Sequence, residues 1–316
     1  MSFPLGASTR EAYGKALVEV GRENPNIVVL DADLSSSTQT IHFGKAFPDR
    51  FLNVGLSEQN MIGLAAGLAS SGKTVFVSSF AVFATSRCYD QIRVSIAQSR
   101  LDVKVVATHA GISVGEDGAS HQAIEDLALM CALPGFTVIS PADEVETIQA
   151  IHAAATTPGP FYVRCGRPKV PVVYQPDYRF AVGKATVMRE GRDVTLVAHG
   201  IMVAASLEAA AALEREGIDA RVLSVPTLKP IDQDALVRAA RETGAVVVAE
   251  EHLLHGGLGS IVAQVLGERY PAPLGFVALR DTYAESGKPD ELLVKYGLTA
   301  EDIRRAAIAT VQRKGV

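Results

Sequence analysis

The stretch Thr108–Asp126 reads THAGISVGEDGASHQAIED and directly follows the apolar, β-branched segment Val103–Ala107. We predict a strand over Val103–Ala107 and a helix beginning near Ser120, which leaves a loop at the carboxyl end of a strand. Open α/β sheets build their ligand sites at such loops. The loop concentrates ionisable side chains with glycines that permit positive φ and close backbone approach: His109, Glu116, Asp117, His121, Gly111, Gly115 and Gly118. One such pair would fit a solvated surface loop, but this density predicts a functional site.

The alternation of apolar runs and helical patterns continues on both sides of this loop. Such alternation is typical of parallel α/β architecture. The segment 165–190 interrupts it, with three prolines in CGRPKVPVVYQPDYRF and no clear helical period. We interpret that segment as a linker. The sequence therefore predicts two α/β domains, residues 1–180 with a parallel sheet and a smaller domain over residues 181–316.

The composition describes a compact protein with room for two domains. The chain has 316 residues, 48% of them hydrophobic and 21% charged, and a net charge of −5. This charge argues against nucleic acid or an anionic membrane as the main partner. Three widely spaced cysteines form no CxxC, as expected of free thiols in a reducing cytoplasm. The sequence shows no signal peptide and no membrane-spanning run, so we expect a cytoplasmic protein.

The loop sequence GISVGEDGASHQ, residues 111–122, closely resembles the substrate loop of transketolases. It resembles that of deoxyxylulose-phosphate synthases more loosely. Both are thiamin-diphosphate enzymes, and the resemblance covers almost the whole chain. It implies an α/β fold in which a thiamin-diphosphate-binding pyrimidine domain with a parallel sheet precedes the transketolase C-terminal domain, whose sheet is mixed.

Glu58 lies in VGLSEQNM, directly after a predicted strand and in the first turn of a predicted helix. A first-turn acid complements the helix dipole, which suffices to explain an anonymous glutamate. The resemblance instead matches Glu58 to the family glutamate that bonds the aminopyrimidine ring of thiamin, and so implies a catalytic, cofactor-binding residue. A desolvated carboxyl that shares its proton with the ring nitrogen suits this role. The family often has Arg-Glu-His here, whereas this chain has Ser57-Glu58-Gln59, so the surroundings of the carboxyl are expected to differ.

Phe80 and Phe83 lie in SSFAVFATSRCYDQIR, after a predicted strand over residues 74–77. Their spacing alone is that of two core aromatics on one helix face. The resemblance matches them to the transketolase aromatic pair that forms the pocket for the aminopyrimidine ring, and aromatic side chains suit a flat aromatic ligand. The following Tyr89-Asp90-Gln91 is more similar to deoxyxylulose-phosphate synthases.

Asp33 and Ser37 lie in DADLSSST, just after a predicted strand, where Asp and Ser commonly form turns and caps. The resemblance implies that Asp33 contacts the substrate or a neighbouring domain and that Ser37 helps to bind a substrate phosphate. Arg10 and Arg164 match two arginines that bind the same phosphate. A planar guanidinium pairs well with phosphate oxygens, although a single arginine is more often a surface ion-pair residue.

His109, Asp117 and His121 match the substrate-binding residues of the family loop. The resemblance implies that Asp117 bonds a substrate hydroxyl and that both histidines hold hydroxyls or phosphate. It also implies a catalytic proton transfer by His121, for which a side chain that titrates near neutrality is suited.

The second predicted domain offers less chemistry. Glu250-Glu251-His252 lacks the helical spacing of a metalloprotease pair. The following HGGLG, residues 255–259, precedes a predicted helix and could bind an anion there, but it falls short of a dinucleotide fingerprint. We expect structural and assembly roles for this domain and no metal site in the chain.

The family's Gly-Asp-Gly motif, which binds the diphosphate through magnesium or calcium, is absent from the sequence. An anionic diphosphate requires a hard cation with oxygen ligands. The resemblance therefore implies the C-terminal subunit of a split transketolase, with the thiamin diphosphate's metal held by a separate N-terminal subunit. The expected assembly is a heterotetramer with two copies of each chain. It would transfer a two-carbon ketol unit from a ketose phosphate to an aldose phosphate.

Three alternatives remain open from the sequence. The chain could be a β subunit of a 2-oxoacid dehydrogenase, which shares the two-domain plan but not the GxSVGEDGxxHQ stretch. It could be part of a split deoxyxylulose-phosphate synthase, which Tyr89-Asp90-Gln91 favours and for which pyruvate would be the donor. It could also be a non-catalytic regulatory homologue, against which the retention of Glu58 argues.

Overall fold

The computed structural model describes residues 3–314. Met1 and Val316, the outer ends of the two predicted domains, lie outside the described residues. The strands are β1 Leu5–Ser8, β2 Ile27–Asp31, β3 Phe51–Asn53, β4 Thr74–Ser78, β5 Val103–Ala107, β6 Thr137–Ile139, β7 Phe161–Arg164, β8 Lys169–Pro171, β9 Thr186–Arg189, β10 Val194–Ala198, β11 Ala220–Ser224, β12 Thr227–Lys229, β13 Val246–Leu253 and β14 Leu274–Leu279. The α-helices are α1 Thr9–Glu23, α2 Ser35–Thr38, α3 Ile41–Ala46, α4 Glu58–Ser70, α5 Tyr89–Gln91, α6 Asp126–Cys131, α7 Glu144–Thr156, α8 Met202–Glu214, α9 Gln233–Thr243, α10 Leu258–Arg269, α11 Pro289–Lys295 and α12 Ala300–Val311.

Two large sheets organise the chain, and both are mainly parallel. The first has the order β12-β6-β7-β5-β4-β2-β3, and only β12 runs antiparallel to its neighbour. The second has the order β14-β13-β10-β11-β9, with β9 antiparallel. The central strands β2, β4 and β5 are buried along their whole length, as continuous apolar runs in parallel sheets require. The predicted α/β fold, parallel in the first half and mixed in the second, is confirmed.

The two halves of the chain share one of their hydrophobic cores. Leu127 and Met130 of α6 belong to the same buried cluster as Leu236 of α9 and Val262 of α10. Strand β12, from the second half, also pairs with β6 of the first sheet. The second half therefore packs directly behind the loop that follows β5.

The helix predicted to begin near Ser120 is present, but its predicted start is wrong: the loop continues as irregular backbone until α6 begins at Asp126. The backbone N–H of Gly111 donates to the carbonyl of Ala123, and the Gln122 side chain donates to the carbonyls of Ile112 and Glu285. These tertiary hydrogen bonds pair polar backbone groups of the loop that would otherwise be paired within a helix.

The predicted linker and the predicted helix that ends near Ser99 also differ from the structure. The segment 165–190 contains β8 and β9. The helical region after β4 contains two π-helical segments, Phe83–Arg87 and Ile92–Ala97. Across residues 3–314, every helix falls short of the length and apolarity that a bilayer span requires.

Candidate functional site

Glu58 is the first residue of α4, and its carboxyl group is almost fully buried. Its side chain is 4% exposed, and its Oε2 accepts a hydrogen bond of 2.8 Å from the Arg87 guanidinium, whose side chain is 51% exposed. Ser57 stands at the N-cap position, but its hydroxyl donates to the Val54 carbonyl and caps no helical N–H. The helix start therefore holds a buried carboxylate with one partly solvated cation beside it.

An aromatic wall lies next to this carboxylate. The Phe80 and Phe83 rings stack with centroids 5.9 Å apart, and the Arg87 guanidinium lies 4.6 Å from the centroid of Phe83. Phe80 also stacks on His109 at 3.8 Å, while Phe83 meets the edge of His121 at 5.2 Å. The structure therefore brings Glu58, both phenylalanines and both histidines into one continuous cluster.

His109 is held as a neutral imidazole. Burial, followed by the positive charges of Arg10 and Arg167 and by His121, lowers the pKa of His109 to about 3. Its Nδ1 lies 2.8 Å from the Thr108 hydroxyl, and its backbone has φ of +58°, which is strained for a residue with a side chain. Strained backbone of this kind is found preferentially at functional sites.

Two arginines, Arg10 and Arg167, lie close enough to His109 for their charges to lower its pKa. Arg10 donates from Nη1 to the Ser37 carbonyl at 3.0 Å, and among the described residues its buried Nε has no hydrogen-bond partner. Burial, the main cause, and the charge of Arg167 both lower the pKa of Arg10, against the opposing charge of Glu11. Arg167 bonds the Val114 carbonyl at 2.6 Å and pairs with Glu116 at 3.2 Å and Asp117 at 3.9 Å. Arg10, with its unused N–H, is therefore the group here that is best suited to contact an anion, beside a second cation already paired with two carboxylates.

Arg164 does not belong to this anion site. Its side chain is 5% exposed, and its Nε donates to Asp126 at 2.8 Å, while Nη2 donates to the carbonyls of Ala123 and Glu251. Two of these bonds go to the first half of the chain and one, to the Glu251 carbonyl, joins it to the second half. This placement argues against the phosphate contact expected of Arg164. Arg167, three residues further on, lies close enough to Arg10 for its charge to lower the pKa of Arg10.

Asp33 lies at the edge of the site, on an exposed turn with φ of +64°. Its backbone N–H and carboxylate exchange hydrogen bonds with the Asn53 side chain at 3.1 and 3.0 Å. These bonds hold Asp33 at the carboxyl ends of β2 and β3, so its substrate contact stays a prediction.

The second half of the chain fixes the loop that carries His109 and His121. The three predicted loop glycines all have positive φ, which confirms that expectation. A Cβ on Gly111 would lie 2.2 Å from the Glu251 carboxyl carbon, and a Cβ on Gly118 would lie 2.4 Å from the Ser286 hydroxyl. Glu251 also accepts the Ser113 N–H at 2.6 Å. Glycine is therefore required because side chains of the second half press against the loop backbone.

At HGGLG, residues 255–259, the position where an anion was expected is occupied by a carboxylate of the same chain. The Glu250 carboxylate accepts the N–H groups of Leu258 and Gly259 at 2.7 and 2.8 Å, at the start of α10. Within residues 3–314, no cluster of three or more His, Cys, Asp or Glu side chains could hold a metal ion.

Comparison with known proteins identifies the family. The family model described as the transketolase pyrimidine-binding domain matches residues 6–172, and the model described as the transketolase C-terminal domain matches residues 183–303. This chain belongs to the transketolase family. The cofactor that such domains generally bind is thiamin diphosphate with a divalent metal.

Similar proteins include subunits of split transketolases. The 6-deoxy-6-sulfo-D-fructose transketolase subunit SqwH of Clostridium sp. is 44% identical over 306 residues, covering 96% of this chain and 95% of the relative. One subunit of the apulose-4-phosphate transketolase of Phocaeicola vulgatus is 36% identical, covering 96% and 97%. A solved structure described as "Split gene transketolase, inactive beta4 tetramer" is 57% identical, with a TM-score of 0.92 over 98% of this chain and 100% of that one. The chain is thus a transketolase-family subunit of the split type.

We did not expect Arg87 or Arg167 to be site residues, and we expected only a structural role for the region of Glu251. Arg167 lies just after β7, whereas Arg164 lies within that strand. Because loops beyond strand ends carry ligand sites, this position is the signal that favours Arg167 for a ligand contact. Arg87 carried no such signal, because only the π-helical turn brings it to Glu58.

Proposed function

We propose that this chain supplies the pyrimidine-binding half of a thiamin-diphosphate-dependent transketolase. The complete enzyme would transfer a two-carbon ketol unit from a ketose phosphate to an aldose phosphate. The observation that carries this proposal is the buried carboxyl of Glu58 beside the Phe80–Phe83 wall, in one cluster with His109 and His121.

The residues present fit an aminopyrimidine ring. The Glu58 carboxyl is shielded from water, and among the described residues its side-chain partner is the partly exposed Arg87, so a ring nitrogen that displaces Arg87 could share a proton with Glu58. Phe83 offers an aromatic surface, and the imidazole of His109 is held neutral, so it can accept or donate a hydrogen bond to an uncharged group. When bound, thiamin diphosphate supplies the nucleophilic carbon and the electron sink for cleaving and forming carbon–carbon bonds.

The remaining residues fit a substrate with an anionic end. Arg10, with Ser37 beside it, and Arg167 would bind that anion. Asp117 and His121 would bind hydroxyls, and His121 would transfer a proton at the reacting carbons. Both named relatives act, by their names, on sugars with an anionic group, a sulfonate in one and a phosphate in the other. A sugar with a terminal oxyanion is therefore the substrate class we propose.

We further propose that an N-terminal transketolase subunit holds the diphosphate and its Mg²⁺ or Ca²⁺, in a heterotetramer with two copies of each chain, and that the domain boundary lies near residue 180. The sequence lacks the Gly-Asp-Gly motif for this task, and the matched split-gene structure is described as an inactive tetramer of β chains. Self-association of this chain through its own surfaces would build the centre of such an assembly.

The test is ketol transfer by the complete complex, purified through a tag on this chain. Glu58→Gln keeps the shape of the side chain but removes its acidic proton, so we expect at least about a hundredfold loss of activity. Glu291→Gln is the matched control, because Glu291 is also a first-turn glutamate but its side chain is 68% exposed. Near wild-type activity of the Glu58→Gln complex would refute the proposal. Activity with pyruvate as donor would indicate the deoxyxylulose-phosphate synthase alternative instead.

A further inference from the structure

Arg87 occupies a position that conflicts with the role proposed for Glu58. Its guanidinium lies between the Glu58 carboxylate, at 2.8 Å, and the Phe83 ring, at 4.6 Å from the centroid. These are the two groups that we assign to the aminopyrimidine ring. A planar cation that pairs with the carboxylate and stacks on the aromatic face uses both contacts that the ring would need.

The backbone around Arg87 explains how it reaches this position. Phe83–Arg87 forms a π-helical segment, and such segments are rare and often lie at functional sites. The Gln59 side chain, next to Glu58, donates to the Arg87 carbonyl at 3.1 Å. Two consecutive residues of α4 thus hold Arg87 by its side chain and by its backbone, while half of the side chain remains open to solvent.

We propose that Arg87 is a gate on the pyrimidine pocket: it pairs with Glu58 when no cofactor is bound and swings into solvent when an aminopyrimidine takes its place. This inference rests on the proposed function. Arg87 would then lower the affinity for thiamin diphosphate, because the cofactor has to displace it from Glu58. In the free protein, the same contact keeps the Glu58 carboxylate paired.

The experiment is a calorimetric titration of the tag-purified complex with thiamin diphosphate in the presence of Mg²⁺. Arg87→Met keeps the length of the side chain and removes the ion pair, so we expect binding to become roughly two- to fivefold tighter. Arg87→Lys, which can still pair with Glu58, should bind close to wild type. Arg93→Met is the matched control, because Arg93 is a similarly exposed arginine that pairs with Asp90, and its affinity should not change.

The outcomes separate the gate from the proposed function. Weaker or unchanged binding by Arg87→Met, with normal binding by the wild-type complex, overturns the gate and leaves the function standing. A complex that binds no thiamin diphosphate in any variant overturns both. Because Arg87 is half exposed, the variant is expected to fold, and a thermal melt matching that of Arg93→Met to within a few degrees verifies this.

Discussion

Arg164 is expected to contribute to folding and Arg167 to substrate binding, and a pair of matched substitutions separates the two roles. Arg164 and Asp126 form an ion pair at 2.8 Å with side-chain exposures of 5% and 0%, and the Tyr162 hydroxyl donates to the same carboxylate oxygen at 2.6 Å. Burial, the largest single cause, would raise the pKa of Asp126, but the charges of Arg164 and His252 and the hydrogen bonds from Arg164 and Tyr162 together lower it. Asp126 is therefore charged, and Arg164→Met leaves that charge unpaired in the core.

Breaking a buried ion pair from one side costs about 3–5 kcal/mol. Arg164→Met should therefore lower the free energy of unfolding by that amount. The double variant Arg164→Met/Asp126→Asn should recover part of it, because a neutral amide oxygen can still accept the Tyr162 hydroxyl. Arg167→Met, at a half-exposed site, should cost only about 0–1 kcal/mol.

Denaturant unfolding of the isolated chain, followed by circular dichroism, measures these differences. In the complete complex, Arg167→Met should raise the KM for a sugar phosphate about ten- to hundredfold, the value of a hydrogen bond to a charged group. An Arg164→Met chain that is as stable as wild type, but whose complex has a raised KM, would show that Arg164 binds the substrate anion and does not stabilise the core.

Three further predictions concern the loop and the aromatic wall. The folded protein excludes a proton from His109, whose pKa is lowered from 6.5 to about 3, so stability should be lost as pH falls below 6.5. Asparagine tolerates the positive φ at this position. Between pH 7 and pH 5, the free energy of unfolding measured in denaturant should fall by about 2 kcal/mol less for His109→Asn than for wild type. Equal decreases in the two proteins would contradict this. Gly111→Ala should destabilise the chain by about 1–3 kcal/mol, because its Cβ would meet the Glu251 side chain. Gly63→Ala, on an open face of α4, should instead stabilise the chain by about 0.5–1 kcal/mol. Thermal melts in which Gly63→Ala is the less stable of the two variants would count against a loop fixed by Glu251. Phe83→Ala should weaken thiamin diphosphate binding by the complex about tenfold in calorimetry, and unchanged binding would exclude Phe83 from the pocket.

Much of the fold could be predicted because its strands are buried on both faces. Runs such as Val103–Ala107 are apolar throughout, and their order along the chain indicates a parallel α/β sheet. The short strand β12 could not be predicted, because three residues before a proline carry no periodic signal and its partner β6 lies almost 90 residues earlier. Its position is fixed by the packing of the two halves against each other.

The candidate site was predictable as far as it depends on local sequence. Glu58, Phe80, Phe83 and the loop histidines are close to strand ends, and the structure brings them into one cluster. Arg164 and Arg87 were not predictable, since their contacts depend on tertiary structure. Arg164 points into the core because it ends β7 opposite Asp126, and Arg87 meets Glu58 only through a π-helical turn, which sequence periodicity does not show.

The native mass and composition of the complex that co-purifies with this chain test the central proposal most directly. We expect a second chain with a diphosphate-binding domain, present in equal copies, and a complex that retains or binds thiamin diphosphate with a divalent metal. Recovery of this chain alone, from its own source and without any affinity for thiamin diphosphate, would contradict it.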